Sequence, residues 1–212
     1  MAQRTWSLIV TLLGDRTRHD GSAVSGQDIA AALEPAGITP QAIRTALHRL
    51  RADGWIETTR DGRASLHRLS ASALAQTRAA APRIYGPAPA PGPLHLALTE
   101  APPPGAATLA PGLHVARGPR PAATPGLTGT DLRLTPAQAA SLWPRPLRRD
   151  AKALLARAAA PPDSPPETHR LLVLHDWRRL VLRAPDLPDA LAPADWPGDA
   201  LRRAVHALLA AP

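Results

Sequence analysis

Five polar side chains fall within eleven residues, at spacings that would gather them on one helical surface: Gln41, Arg44, Thr45, His48 and Arg51. They alternate with Ile43, Leu47 and Leu50, which recur at i, i+4 and i+7 as the buried stripe of an amphipathic helix does. An exposed face of this make-up suits the edges of bases in a DNA major groove. There arginine pairs with guanine O6 and N7 in a planar fork, and Gln41 sits near the N-terminal end of the helix, the part that points at base edges. Arg60 and Arg63 flank the nearby Asp61-Gly62 pair, where they are suited to phosphates or the minor groove. From Thr39 to Arg68 there are six arginines against three acids. The competing reading is a solvated polar face on an ordinary helix and hairpin.

Other reactive constellations are thin. The chain has no Cys, which removes thiolate nucleophiles, disulfides and cysteine-ligated metals. It contains no Gly-x-Gly for a dinucleotide, no Gly-Lys-Ser/Thr phosphate loop, no His-Glu-x-x-His and no Gly-x-Ser-x-Gly. The eight His are scattered. His175 adjoins Asp176, but neighbours on a helix point in different directions, so a partly buried His near Trp177 is the better reading. Glu100 follows the apolar run Leu94–Leu98 as one carboxylate, short of the several oxygens a divalent cation takes. No catalytic residue, metal ligand or cofactor is therefore assigned. Arg178, Arg179 and Arg183 could hold the phosphates of a CoA-like ligand, because arginine forks match phosphate. Their ordinary alternative is a charged helix face paired with Asp176 and Asp186. Trp177 and Trp196 are expected to pack a C-terminal core.

The elements that would position these groups can be read locally. Trp6, Leu8, Ile9, Leu12 and Leu13 predict a first helix that Gly14 can end. Ser25 is a plausible N-cap with Asp28 three residues on. Ile29, Ala32 and Leu33 line the second helix, and Pro35 stops it. Thr39 caps a third helix with Pro40 in its first turn, where a missing N–H costs nothing, and Asp53-Gly54 ends it. Trp55 to Arg60 and Arg63 to Leu69, around Asp61-Gly62, form a hairpin. Helix, helix, turn, helix, hairpin is the order of a winged helix-turn-helix.

Proline divides the rest. Only Pro35 and Pro40 precede residue 82, twelve lie from Pro82 to Pro125, and twelve follow. The middle carries short apolar pieces at Leu94–Leu98 and Leu113–Val115, a weak sheet or irregular chain. Helical spacing returns over 135–160 and 167–210, and the last helix runs through Leu201, Val205, Leu208 and Leu209. The expected division is 1–85, 86–134 and 135–212. The net charge of +8 points first to nucleic acid and second to an anionic membrane surface. Residues 1–85 carry 11 Arg against 7 acids, and the remainder 14 Arg and Lys against 10, so charge is not segregated in a tail. The apolar run Trp6 to Leu13 is too short to span a bilayer and lacks a signal-cleavage pattern. A soluble cytoplasmic protein without membrane contact is expected.

At this point the chain resembles a known family. The stretch Ser7–Asp15 is similar to the opening of the PaaX-type repressors of phenylacetate catabolism. So are Ile43-Arg44-Thr45-Ala46 with Leu50 and Gly54-Trp55, then Gly62-Arg63, and later Arg83-Ile84-Tyr85-Gly86. Leu109–Leu113 resembles a motif of that family's middle. His169–Leu172, His175–Arg179, Pro185–Pro188 and Pro193–Gly198 resemble its C-terminal part. The matches run through nearly the whole chain in the same order.

The resemblance implies an α+β protein with an N-terminal winged helix-turn-helix over 1–85. It further implies a ferredoxin-like central domain used in dimerisation and a helical C-terminal domain over 135–212. Residues 87–129 are short for the central domain, are interrupted by Pro102-Pro103-Pro104 and lack aromatic residues around the first strand. Residues 86–134 are therefore expected to form a reduced version of it. The function implied is a dimeric, non-enzymatic transcriptional repressor that binds a double-stranded DNA operator and is released by an aryl-acyl-CoA such as phenylacetyl-CoA. The alternative class is an acyl-CoA-sensing or nuclease-like protein whose winged helix contacts other proteins.

Overall fold

The structure is a computed structural model that describes residues 2–130 and 132–210, with the side chains of 2–4 left aside. Its contacts group the chain into two compact units. One holds residues 1–84 with 160–178, and the other holds 85–159 with 179–210. Eight α-helices and two small antiparallel sheets make up these units among the described residues.

The first unit opens with helix α1 (Ala2–Thr17), whose Leu8, Ile9, Leu12 and Leu13 are buried. Gly14 does not end this helix, contrary to expectation. It lies inside α1, where an added Cβ would come 3.1 Å from Thr77 Cγ2. Its small size serves a close approach by a neighbouring helix. The last turn is instead completed by Thr17 Oγ1, which donates to the Leu13 carbonyl at 2.8 Å.

Strand β1 (Val24–Ser25) leads into α2 (Gly26–Leu33), where Ser25 caps as expected by accepting from the Asp28 N–H. A 3-10 turn over Glu34–Ala36 carries Pro35 and closes at Gly37 with φ 76°. Helix α3 (Pro40–Ala52) starts from Thr39, whose side chain accepts from the Ala42 N–H. Its end is a Schellman motif: Trp55 N–H reaches Leu50 O at 2.8 Å and Gly54 N–H reaches Arg51 O at 3.1 Å. Gly54 takes the left-handed φ of 71° that this cap requires.

Strands β2 (Ile56–Asp61) and β3 (Ala64–Leu69) pair from Ile56↔Leu69 to Asp61↔Ala64. Gly62 and Arg63 are thus the two turn residues, and Asp61 belongs to the strand. Gly62 has φ 58°, as the first position of a type II′ turn requires. Strand β1 adds to the free edge of β3, giving the order β1-β3-β2. Helix α4 (Ala71–Tyr85) follows, a further element that the sequence pattern did not announce. Ser70 Oγ accepts from the Ala73 N–H at 3.3 Å to start it.

The core joins α1, α2, α3 and the sheet, and it takes in Leu171 from α7 (Pro166–Arg183). Polar contacts bind the start of α7 into the same unit. Thr168 Oγ1 donates to Ala32 O at 3.3 Å, His175 Nδ1 lies 3.0 Å from Thr11 Oγ1, and Arg170 meets Asp15 at 2.7 Å. Trp177 packs in this unit instead of in a C-terminal core, with its indole N–H donating to Ile84 O at 2.8 Å.

The second unit contains a four-stranded sheet of β4 (Leu94–Leu98), β5 (Ala107–Ala110), β6 (Leu113–Arg117) and β7 (Gly126–Gly129). Its order is β5-β6-β4-β7 with every pair antiparallel. The two expected apolar pieces are the inner strands, and both edges are additions. The β4–β5 and β6–β7 connections carry no helix. Each holds several prolines, Pro102–Pro104 in one and Pro119, Pro121 and Pro125 in the other, which oppose helix formation.

The remaining helices are α5 (Pro136–Leu142), α6 (Arg145–Ala159) and α8 (Gly198–Ala210). A capping box between Thr135 and Gln138 starts α5. Leu147, Ala151 and Leu154 of α6 are buried, as are Leu201 and Val205 of α8, and these two helices lie together. No helix among the described residues is long and apolar enough to cross a membrane.

Candidate nucleic-acid interface

Ile43, Ala46 and Leu50 are the deepest residues of α3, and Leu47 is half-buried at the margin of the core. Fixing that stripe inward leaves Gln41, Arg44, Thr45, His48 and Arg51 exposed on the other side. The helix thus gathers all five side chains singled out in the sequence. Arg44 Nη2 donates to Gln41 Oε1 at 2.7 Å, so the two groups nearest the helix start are held together. Arg60 stands exposed on β2 opposite Ser65, and Arg63 is in the hairpin turn.

Ion pairs sort the six arginines of this region. Arg49 lies 3.5 Å from Asp53, and Arg68 lies 2.7 Å from Glu57 on the adjacent strand. These two guanidinium groups are neutralised locally. Arg44, Arg51, Arg60 and Arg63 have no carboxylate partner among the described residues. They form the part of the surface whose charge remains available to an anion.

A cavity of about 420 Å³ opens between α2, α3 and the hairpin. Ala30, Ile43 and Leu47 supply apolar wall, and Arg44, His48 and Arg51 also line it. Thr58, Ser65 and His67 close the hairpin side. His67 is buried, with Nδ1 3.0 Å from Thr58 Oγ1. Burial is the main cause that holds its pKa below the ordinary histidine value, and the nearby Arg51 charge adds to it. Sequence reasoning missed this wall. The pairing Thr58↔His67 follows from a two-residue turn at Gly62-Arg63, but the cavity depends on how α2 packs.

Arg178 is half-buried in the first unit. In the second unit Arg179 is exposed, and its carbonyl accepts from Arg183 Nε at 3.0 Å. Arg183 Nη2 reaches Asp150 at 3.4 Å, a carboxylate also approached by Arg149 at 3.2 Å. Asp186, expected beside these arginines, instead holds Arg117 at 3.0 Å. His175 is buried against Thr11, as a structural histidine. Glu100 is exposed, and no cluster of three or more metal-ligating side chains occurs among the described residues.

Trp196 is half-buried, its indole N–H donating to Asp189 Oδ1 at 3.0 Å and its ring centroid 6.5 Å from that of Trp143.

Comparison with known proteins supplies the family. Residues 4–73 match the model of the PaaX-like protein, and residues 143–211 match that of the PaaX-like protein C-terminal domain. Over 79 residues the chain is 42% identical to the transcriptional repressor PaaX of Escherichia coli strain K12. That stretch takes in 37% of this chain and 25% of the repressor's length. In fold, the chain is similar to the uncharacterized protein Rv0674 from Mycobacterium tuberculosis, with a TM-score of 0.59 at 24% identity. The similarity covers 95% of this chain and 92% of that one. By its two matched family models, in their order along the sequence, this chain belongs to the PaaX-like protein family.

Proposed function

We propose that the protein is a DNA-binding transcriptional repressor without catalytic activity. In this reading residues 1–85 form a winged helix-turn-helix, α3 enters the major groove and the β2–β3 hairpin is the wing. The observation that carries it is the exposed face of α3, where Gln41, Arg44, Thr45, His48 and Arg51 stand together and neither arginine has a carboxylate partner among the described residues. Arg60 and Arg63 on the hairpin extend the same charge toward the DNA backbone. Similarity to a named repressor over 79 residues supports this use of the surface.

The protein acts as a homodimer, so that two copies of α3 read two half-sites. The sheet order β5-β6-β4-β7 supports reading 86–134 as a ferredoxin-like domain reduced by the loss of both crossover helices. An aryl-acyl-CoA such as phenylacetyl-CoA releases the operator, with Arg178, Arg179 and Arg183 as candidates for its phosphates. Such a ligand acts only through its preference for the form that does not bind DNA. A hundredfold loss of affinity therefore needs about 2.7 kcal/mol of differential binding.

The test is a titration of the full chain with DNA from upstream of its own reading frame, at several salt concentrations. Affinity for one segment at least about a thousandfold above that for a scrambled duplex is expected. Equal affinities for the two would overturn the reading. Calorimetry with phenylacetyl-CoA, free CoA and phenylacetate, followed by DNA binding with each present, tests the effector separately. If none binds, the effector is removed and DNA recognition stands.

A further inference from the structure

We propose that the cavity beside α3 binds a small apolar carboxylate, a molecule with one aromatic or branched-alkyl body and one carboxyl group, and that its occupation excludes DNA. Volume is the first argument. About 420 Å³ falls within the roughly 300–1,000 Å³ of typical small-ligand sites. Chemistry of the lining is the second. Ala30, Ile43 and Leu47 present hydrocarbon, while Arg44, His48 and Arg51 recur at i, i+4 and i+7 along one side of the opening. Among the described residues no carboxylate lines the cavity. Arg44 and Arg51 carry fixed positive charge at this opening, and burial disfavours the charged form of His67.

A DNA phosphate would satisfy the arginines but has no hydrocarbon to place behind them. A carboxylate joined to an apolar body satisfies both features, with its charge at Arg44 and Arg51 and its body against Ile43 and Leu47. Arginine holds a carboxylate through paired N–H donors, and burying the body removes apolar surface from water. The same two arginines are those proposed to meet DNA. Ligand and duplex therefore compete for them. This consequence rests on the proposed DNA reading, whereas binding of the carboxylate does not.

The experiment uses the full chain and 1-naphthoate, with 1-naphthamide as a neutral molecule of similar shape. Calorimetry without DNA should show one naphthoate per chain and naphthamide weaker by at least about tenfold. Ala30→Leu fills the apolar wall without touching a proposed DNA contact, and it should abolish naphthoate binding while keeping wild-type DNA affinity. In wild type, naphthoate at ten times its Kd should weaken DNA binding by about tenfold.

Absence of naphthoate binding, equal binding of naphthoate and naphthamide, or unchanged binding by Ala30→Leu would overturn the site. DNA affinity indifferent to bound naphthoate would overturn the exclusion. Should Ala30→Leu not fold, the contrast between the two ligands on wild type decides alone. Failure of the chain to bind any DNA would instead sink the repressor reading, while naphthoate binding to the cavity, measured without DNA, would stand or fall on its own.

Discussion

Arg44 and Arg63 are alike in charge and exposure but differ in what holds them. Arg44 stands on a helix, oriented by Gln41, and a side chain fixed in that way can select a base edge. Arg63 occupies a hairpin turn, where it can follow a phosphate of any sequence. Arg44→Ala should cost about 1–3 kcal/mol at a cognate site and relax base preference. Arg63→Ala should weaken binding to all sequences and reduce the dependence of affinity on salt. Titrations at several salt concentrations separate the two, and wild-type affinity in both variants would remove α3 and the hairpin from the interface. His67 gives a prediction that needs no DNA. Its pKa is depressed below 6.5 in the fold, chiefly by burial, so the unfolded chain takes up a proton where the folded one does not. That contribution to stability is whole above the unfolded pKa and is lost as pH falls through the folded pKa. Between about pH 7.5 and about pH 5.5 the thermal midpoint of His67→Gln should therefore fall less than that of wild type. Parallel pH profiles would show that His67 does not carry this dependence.

At the scale of elements, short local signals govern where α3 begins and how the central sheet closes. Thr39 accepts from the Ala42 N–H at 3.3 Å, and Thr39→Ala should cost about 1 kcal/mol through the loss of that cap. A lower thermal midpoint together with weaker DNA binding is expected, because Gln41 and Arg44 lie in the turn that the cap secures. In the sheet, a Cβ at Gly126 would collide with the Leu96 carbonyl oxygen. Gly126→Ala must therefore push β7 away from β4. A loss of about 2 kcal/mol or more is expected, with faster amide exchange in both strands, and unchanged exchange would contradict this pairing. The caps at Ser25 and Thr39, the α3 stripe and the hairpin were legible in the sequence because each is specified within a few residues. The five side chains on the outer face of α3 were legible for the same reason. Helix α4 was not, since its alanine-rich run buries only Ala73 and Ile84 and contains Pro82. Strand β1 has two residues, too few to show alternation, and it exists because β3 offers an edge. The cavity and the burial of His175 against Thr11 come from packing between distant segments, which no local spacing encodes.

For the whole molecule the proposed function turns on whether two chains act together. A single α3 spans few base pairs, and selectivity over a genome calls for a longer site than one such helix can read. Two copies related by a twofold axis would place their recognition helices about 34–36 Å apart, one turn of DNA. The chain should therefore have a mass in solution of twice 22.3 kDa. With a net charge of +8, contact with stray polyanions can imitate assembly at low ionic strength, where charges are poorly screened. Mass must accordingly be measured at two salt concentrations and after removal of nucleic acid. Spacing of the half-sites supplies an independent check. Inserting about 5 base pairs turns one half-site to the opposite face of the duplex, and a dimer then reaches only one of them. Affinity should fall toward that of an isolated half-site. A monomeric mass at both salt concentrations, with affinity indifferent to the insertion, would show that one chain reads DNA alone and would remove the dimer from the proposed mechanism.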